Sequence, residues 1–272
     1  MSTVVVSAPG RTLVRGVGRG LRDWIPALVI LVAVLVGWEL AIDVFDIERF
    51  LLPKPSAIAA RFWEERETLW AAGWFTFQEA LWGFAAGCSA AIVAALVLAR
   101  FRTLGTALMP YFIAGNAIPI IAFAPVAIAW FGIDKGSKIA IAGLLCFFPV
   151  LVNTLKGLTS VKPSSIELMR SYAAGETQIF RRVRIPNSLP YLFASLKVAS
   201  VLAMIGAIVA EYFGGSLTSL GIQIKSASAL FNFETAWAAI LVACILGMSF
   251  YLAIALVERI VTRWYPSAPR GR

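Results

Sequence analysis

The chain has 272 residues, of which 60% are hydrophobic and 14% charged, against about 45–50% apolar in ordinary soluble domains. With a mean hydropathy of +0.81, that excludes a soluble globular domain and marks an integral membrane protein. The net charge of +9 does not mark a nucleic-acid binder, because the basic residues are partitioned by loop, which is how membrane topology is set.

Residues 1–23 carry Arg11, Arg15, Arg19 and Arg22 against Asp23, a basic N-terminal tail expected to be flexible and cytoplasmic. An apolar run over 24–41 predicts the first span. A secretory signal peptide is the competing reading, but no small-residue cleavage site follows and the run is long enough to cross. Residues 43–74 form an acid-rich outer loop holding Asp43, Asp46, Glu48, Glu64, Glu65 and Glu67. Within it Pro53 and Pro55 favour extended backbone, and Ser56 is expected to cap an amphipathic helix.

The second span is predicted over 75–98 and the third over 104–131. Pro110, Pro119 and Pro125 make the third kinked or broken, which a membrane tolerates only where protein or water satisfies the freed carbonyls. A short outer turn with Asp134, Lys135 and Lys138 leads to the fourth span, 139–155. A loop over 156–188 precedes the fifth, 189–212. Gly214, Gly215 and Gly221 then suggest a tight turn or re-entrant piece before the sixth span, 235–257, and a basic C-terminal tail, 259–272. Lys and Arg concentrate in the segments this places inside, and acids outside, so both termini are expected in the cytoplasm. The fold class is an all-α integral membrane protein of about six transmembrane helices.

The segment 164–186, SSIELMRSYAAGETQIFRRVRIP, interrupts the apolar runs. Ser164 and Glu167 have capping-box spacing, and Ile166, Met169, Tyr172 and Ala173 make one apolar stripe. Gly175 is a candidate helix stop. A second helix from about residue 177 would carry Ile179, Phe180 and Val183 on one side and Arg181, Arg182 and Arg184 around them, ending at Pro186. On periodicity alone this is equally a cytoplasmic hairpin packed on its own bundle.

Residue order adds to that. The segment resembles the EAA loop of permease subunits of binding-protein-dependent ABC importers: Glu167, Leu168 and Met169, three residues to Ala173, nine to Val183, then Arg184, Ile185 and Pro186. Leu168 and Met169 replace the paired alanines, as is common in the nitrate/sulfonate/taurine branch. Ala173 stands where that pattern has glycine, so Gly175 is a candidate to have taken over the turn. LPKPS at 52–56, NAIPIIAFAPVAIAWFG from Asn116 and FFPVLVNT from Phe147 are similar to that same branch, extending the resemblance over most of 50–260.

The resemblance implies a type I importer fold with an ABC transmembrane type-1 permease domain over 75–258, and a cytoplasmic EAA coupling helix between spans four and five. It also implies a bacterial inner-membrane location, a second permease subunit forming a homodimer, a cytoplasmic ABC ATPase dimer docking on the EAA residues and Gly175, and a periplasmic or lipid-anchored binding protein. The substrate it implies first is nitrate, a sulfonate or taurine; riboflavin or a pyrimidine precursor is the alternative. The absence of mid-depth arginine in the predicted spans mildly favours a neutral or zwitterionic solute.

The chain has no Walker A order; GIDKGSK at Gly132 lacks it. No cofactor is expected in this chain, ATP and Mg being bound by the partner ATPase. There is no histidine, and Cys88, Cys146 and Cys244 lie inside apolar runs as small hydrophobes, which disfavours an intramembrane enzyme. An ion-coupled carrier acting alone would need charges paired at mid-membrane and an internal repeat; neither is visible in the sequence. Among polar residues in spans, Glu39, Glu79 and Glu211 are expected to reach the interface, and Asn116, Pro119 and Asn153 are the candidate translocation path. Trp24, Trp74, Trp130, Tyr191 and Trp237 read as interface belts. Partners thus comprise membrane lipid and protein, not nucleic acid.

Overall fold

The computed structural model describes residues 14–48 and 51–263; most of both predicted tails lies outside them. The chain divides into two compact units, Met1–Ala60 and Arg61–Arg272.

In the first unit, α1 (Val14–Val44) is one helix with Pro26 inside it. It starts ahead of the predicted span, so residues 14–23 are helical rather than a flexible tail. Its apolar flank is open, with Val29 and Ile30 at 59% and 63% exposure, as lipid contact requires. The following segment returns to the helix end. Ser56 donates to Glu39 from both its N–H and its hydroxyl, and Lys54 pairs with Asp43. Ser56 therefore does not cap α2 (Pro55–Glu64) but spends both groups on Glu39. Pro55 takes the first helical position, its fixed φ starting the helix two residues ahead of the start a Ser56 cap would give.

The second unit is built on α3 (Arg66–Arg100), α6 (Lys135–Thr159) and α9 (Ile185–Gly214). Helix α6 packs against both α3 and α9, and α11 (Phe233–Val261) closes on α9 and α3. Small residues make the seams: Ala91, Ala95, Ala142, Cys146, Ala199, Ala203 and Ala207 are all buried. At Gly87 a Cβ would stand 2.1 Å from the Gly143 carbonyl oxygen. The two backbones thus touch, a close approach that gains dispersion where burial against lipid gains little.

Between α3 and α6 run α4 (Arg102–Gly115) and α5 (Ile120–Phe131), bent by 97° across their break. Pro110 and Pro125 sit within these helices; Pro119 alone breaks the chain. It has no N–H and holds Ile118 out of helical backbone. The last amides before it, Ala117 and Ile118, fall back on carbonyls three residues earlier at 3.0 and 3.3 Å. Among the described residues five helices are long and apolar enough to cross a membrane, six if this bent pair counts as one broken span. The expected re-entrant piece is a short helix, α10 (Leu220–Ala229), packed on α9, α11 and α3.

Candidate functional site: the α6–α9 loop and polar groups of the bundle

The loop between α6 and α9 forms α7 (Pro163–Ser171), α8 (Glu176–Ile179) and a wide π turn, Phe180–Arg184, running directly into α9. The predicted capping box is absent. Lys162 is the N-cap with no side-chain bond, and Pro163 holds the first helical position, leaving Ser164 inside the first turn. This repeats the Pro55 and Ser56 pattern.

Helix α7 ends on Ala173, whose φ is +55°. The Ala173 N–H donates to the Arg170 carbonyl at 2.9 Å and the Ala174 N–H to the Met169 carbonyl at 3.0 Å. That pair of bonds is a Schellman stop, with Ala173 at the left-handed position that glycine favours. Gly175 has not taken over the turn. It is extended, with φ −71° and ψ 161°, and caps α8, its N–H donating to Gln178 Oε1 at 3.2 Å. Arg170 Nη2 meets Glu176 Oε1 at 2.8 Å, tying the two helices.

Pro186 does not end a helix. The Ile185 N–H reaches the Phe180 carbonyl five residues back, and this wider turn replaces the normal turn into which a proline ring would drive. The helical path is continuous from Glu176 to Gly214. Ile179 is fully buried, Val183, Ile185 and Pro186 are half-buried, and Arg181 and Arg182 are exposed. Glu167 is exposed, and so are Leu168 and Tyr172, at 58% and 77%. The loop thus offers bare apolar side chains beside acid and guanidinium groups. Its base is clamped: Asn187 Nδ2 donates to the Gly157 carbonyl at 2.8 Å, joining the start of α9 to the end of α6.

Of the path candidates, Asn116 is exposed at the break beside Pro119. The preceding Gly115 lies under the Phe148 ring of α6. Asn153 spends its amide on the Pro149 carbonyl of its own helix at 2.9 Å.

Glu79 and Glu211 do not reach the interface. They are 2% and 0% exposed, and Lys138, expected in an outer turn, is buried with them at 1%. Glu211 accepts from Thr76 Oγ1 and from the Gly221 N–H, each at 2.8 Å. The Lys138 ammonium donates to the carbonyls of Ile133 and Asp134. Thr76 escaped the sequence reading, and Lys138 sits in the first turn of α6 rather than in an outer turn; the one signal was the three-residue spacing of Thr76 and Glu79, which puts both on one face of α3. An ion pair, Lys197 with Glu258 at 2.6 Å, links α9 to α11.

Residues 85–263 match the family described as binding-protein-dependent transport system inner membrane component. The chain belongs to this family of ABC importer permeases. The permease is 34% identical over 250 residues to the riboflavin transport system permease protein RibX of Chloroflexus aurantiacus, covering 90% of this chain and 92% of that one. It is 32% identical to the formylaminopyrimidine transport permease protein ThiX of Halalkalibacterium halodurans, covering 88% and 95%. To the putative aliphatic sulfonates transport permease protein SsuC of Escherichia coli it is 28% identical, covering 87% and 90%. Its fold resembles a chain of the inward-facing MetNI methionine ABC transporter, with TM-score 0.54, 19% identity and 74% and 97% of the two chains covered. The permease is therefore a multi-pass inner-membrane transport subunit of the type I importer fold, not itself an enzyme.

Proposed function

We propose that this permease moves a small neutral or zwitterionic heterocycle, of the riboflavin or pyrimidine-precursor kind. The observation that carries this is the near full-length likeness to permeases named for riboflavin and formylaminopyrimidine. The charges agree with it: Lys138 and Lys197 both lie within span helices, where Lys197 is paired with Glu258 and Lys138 spends its ammonium on the Ile133 and Asp134 carbonyls. A sulfonate, taurine or nitrate is the second reading, supported by the likeness to SsuC.

In this reading a permease domain over 75–258 pairs with a second copy and receives solute from a binding protein. A cytoplasmic ATPase dimer, which binds ATP and Mg, docks on the α6–α9 loop. Glu167, Leu168, Met169, Arg181 and Arg182 make the contact; Ala173 and Gly175 shape the turns; Val183, Ile185 and Pro186 seat the loop against α9. The bare Leu168 and the guanidinium groups support a docking role, because desolvated apolar and arginine contacts carry most binding energy. Asn116, Pro119 and Asn153 belong to the path, where the broken span opens backbone groups that a solute can use.

The test is ATP hydrolysis by nanodiscs holding the permease and its neighbouring ATPase, with candidate binding proteins loaded from a panel of riboflavin, pyrimidines, sulfonates, taurine and nitrate. Stimulation by a riboflavin- or pyrimidine-loaded protein is expected. Stimulation by a sulfonate-loaded protein alone overturns the substrate reading. Co-purification of the ATPase at wild-type yield after Glu167→Ala and Arg181→Ala with Arg182→Ala overturns the docking reading.

A further inference from the structure

Four elements meet at one buried polar knot. Thr76 and Glu79 come from α3, Lys138 from the first turn of α6 and Glu211 from the last turn of α9. The start of α10 adds backbone amides. Helix α10 does not cap itself: the Ser219 hydroxyl turns to the Ser216 carbonyl at 2.8 Å. Its caps arrive from other helices. The Leu220 N–H donates to Thr76 Oγ1 at 3.1 Å and the Gly221 N–H to Glu211 Oε2 at 2.8 Å. A carboxylate on the first amides of a helix is favoured by both hydrogen bonding and the dipole. Glycine is required at 221, because a Cβ there would stand 2.5 Å from the Glu211 Cβ and 2.6 Å from the Ile208 carbonyl oxygen.

The knot has alternative partners within reach. The single Thr76 hydroxyl proton has two acceptors, Glu211 Oε1 at 2.8 Å and the Ala72 carbonyl at 3.1 Å. Glu79 Oε2 is buried with no donor, its carboxyl next to that of Glu211 and within electrostatic range of Lys138. Helix α10 is bounded by Gly214 and the extended Gly215 before it and by Phe231, with φ +57°, behind it. At ten residues it is too short to cross a bilayer, which needs about 20. Helix α9 runs unbroken from the π turn of the coupling loop to Glu211. The knot and that loop are at opposite ends of α6, roughly 30 Å apart at 1.5 Å per residue.

We propose that Thr76 and Glu211 are positioning residues for transport, forming a clasp that seats α10 on α3 and α9 and is released and remade as the far ends of α6 and α9 move. Glu79 and Lys138 supply alternative partners while the clasp is open. The inference rests on the docking reading of the α6–α9 loop for its trigger, but not for the clasp itself.

The test uses Thr76→Val, which keeps shape and removes the hydroxyl, with Glu211→Gln as a second variant and Thr76→Ser as the conservative rescue. Backbone amide exchange over 220–226 is read on the permease alone in nanodiscs, and solute moved per ATP hydrolysed on the assembled transporter. Thr76→Val and Glu211→Gln are expected to speed α10 exchange at least tenfold. Solute moved per ATP should fall at least fivefold, with ATP hydrolysis within twofold of wild type and Thr76→Ser restoring both readouts. Unchanged α10 exchange refutes the clasp. Faster exchange with solute per ATP unchanged reduces it to a structural bond and overturns its role in transport. If loop variants leave ATPase binding intact, the docking reading falls while the exchange result on the permease alone stands.

Discussion

Ala173 occupies left-handed backbone at φ +55°, and replacing it with glycine tests the stop that ends α7. An L-residue in that conformation costs about 1–2 kcal/mol. Glycine removes this cost but gives back about 0.4–1 kcal/mol through its freer unfolded chain. The net gain for Ala173→Gly is roughly 0.5–1 kcal/mol, a factor of about two to five in an opening equilibrium. The direct assay is exchange of the Ala174 amide, which the stop bonds to the Met169 carbonyl at 3.0 Å. Exchange should slow by that factor in Ala173→Gly and accelerate more than tenfold in Ala173→Val, because a branched Cβ tolerates this backbone worst. Gly175→Ala, at an extended position, should leave it unchanged. Faster exchange in Ala173→Gly, or none of these differences, would mean that Ala173 is not left-handed in the folded loop.

Gly87→Ala places a methyl on the Gly143 carbonyl, where a Cβ has 2.1 Å. Neither side of that contact is a flexible tip, so a loss of about 3 kcal/mol or more is expected, seen as a lowered melting midpoint in detergent. Lys197→Met leaves Glu258, 24% exposed and paired at 2.6 Å, without its cation. It should cost about 1–3 kcal/mol, and the added Glu258→Gln should restore most of it; the melting midpoints of the three proteins check the order. Pro186→Ala supplies the missing N–H, so the π turn can tighten to normal helix. Isotope-edited carbonyl spectroscopy at Phe180 should register the change of hydrogen-bond partner, with solute moved per ATP reduced if the turn sets the loop.

The bundle was legible because hydropathy runs at membrane length mark spans whatever packs beside them, and Pro119 was legible as a break because its missing amide is local chemistry. Ser164 and Ser56 misled as caps because the residue before each is a proline, which competes for helix initiation and wins. Pro186 misled for a related reason: its effect depends on the turn preceding it, and a π turn removes the clash that would have ended the helix. Glu79, Lys138 and Glu211 were out of reach altogether. Each lies near a span end, where snorkelling to water is the ordinary expectation, and only lateral packing of α3, α6 and α9 closes that route. Ala173 kept the stop at the position the resemblance gave to glycine, so spacing proved a better guide there than residue type.

The π turn has a geometric consequence for the way the α6–α9 loop is aimed. One added residue in a helix of 3.6 per turn rotates everything before it by about 100° relative to an uninterrupted helix. The exposed face bearing Arg181 and Arg182 is therefore aimed independently of the face by which α9 packs into the bundle. The loop surface can in this way be re-aimed by shifting a hydrogen bond at the turn, with the register of the span that follows it left untouched.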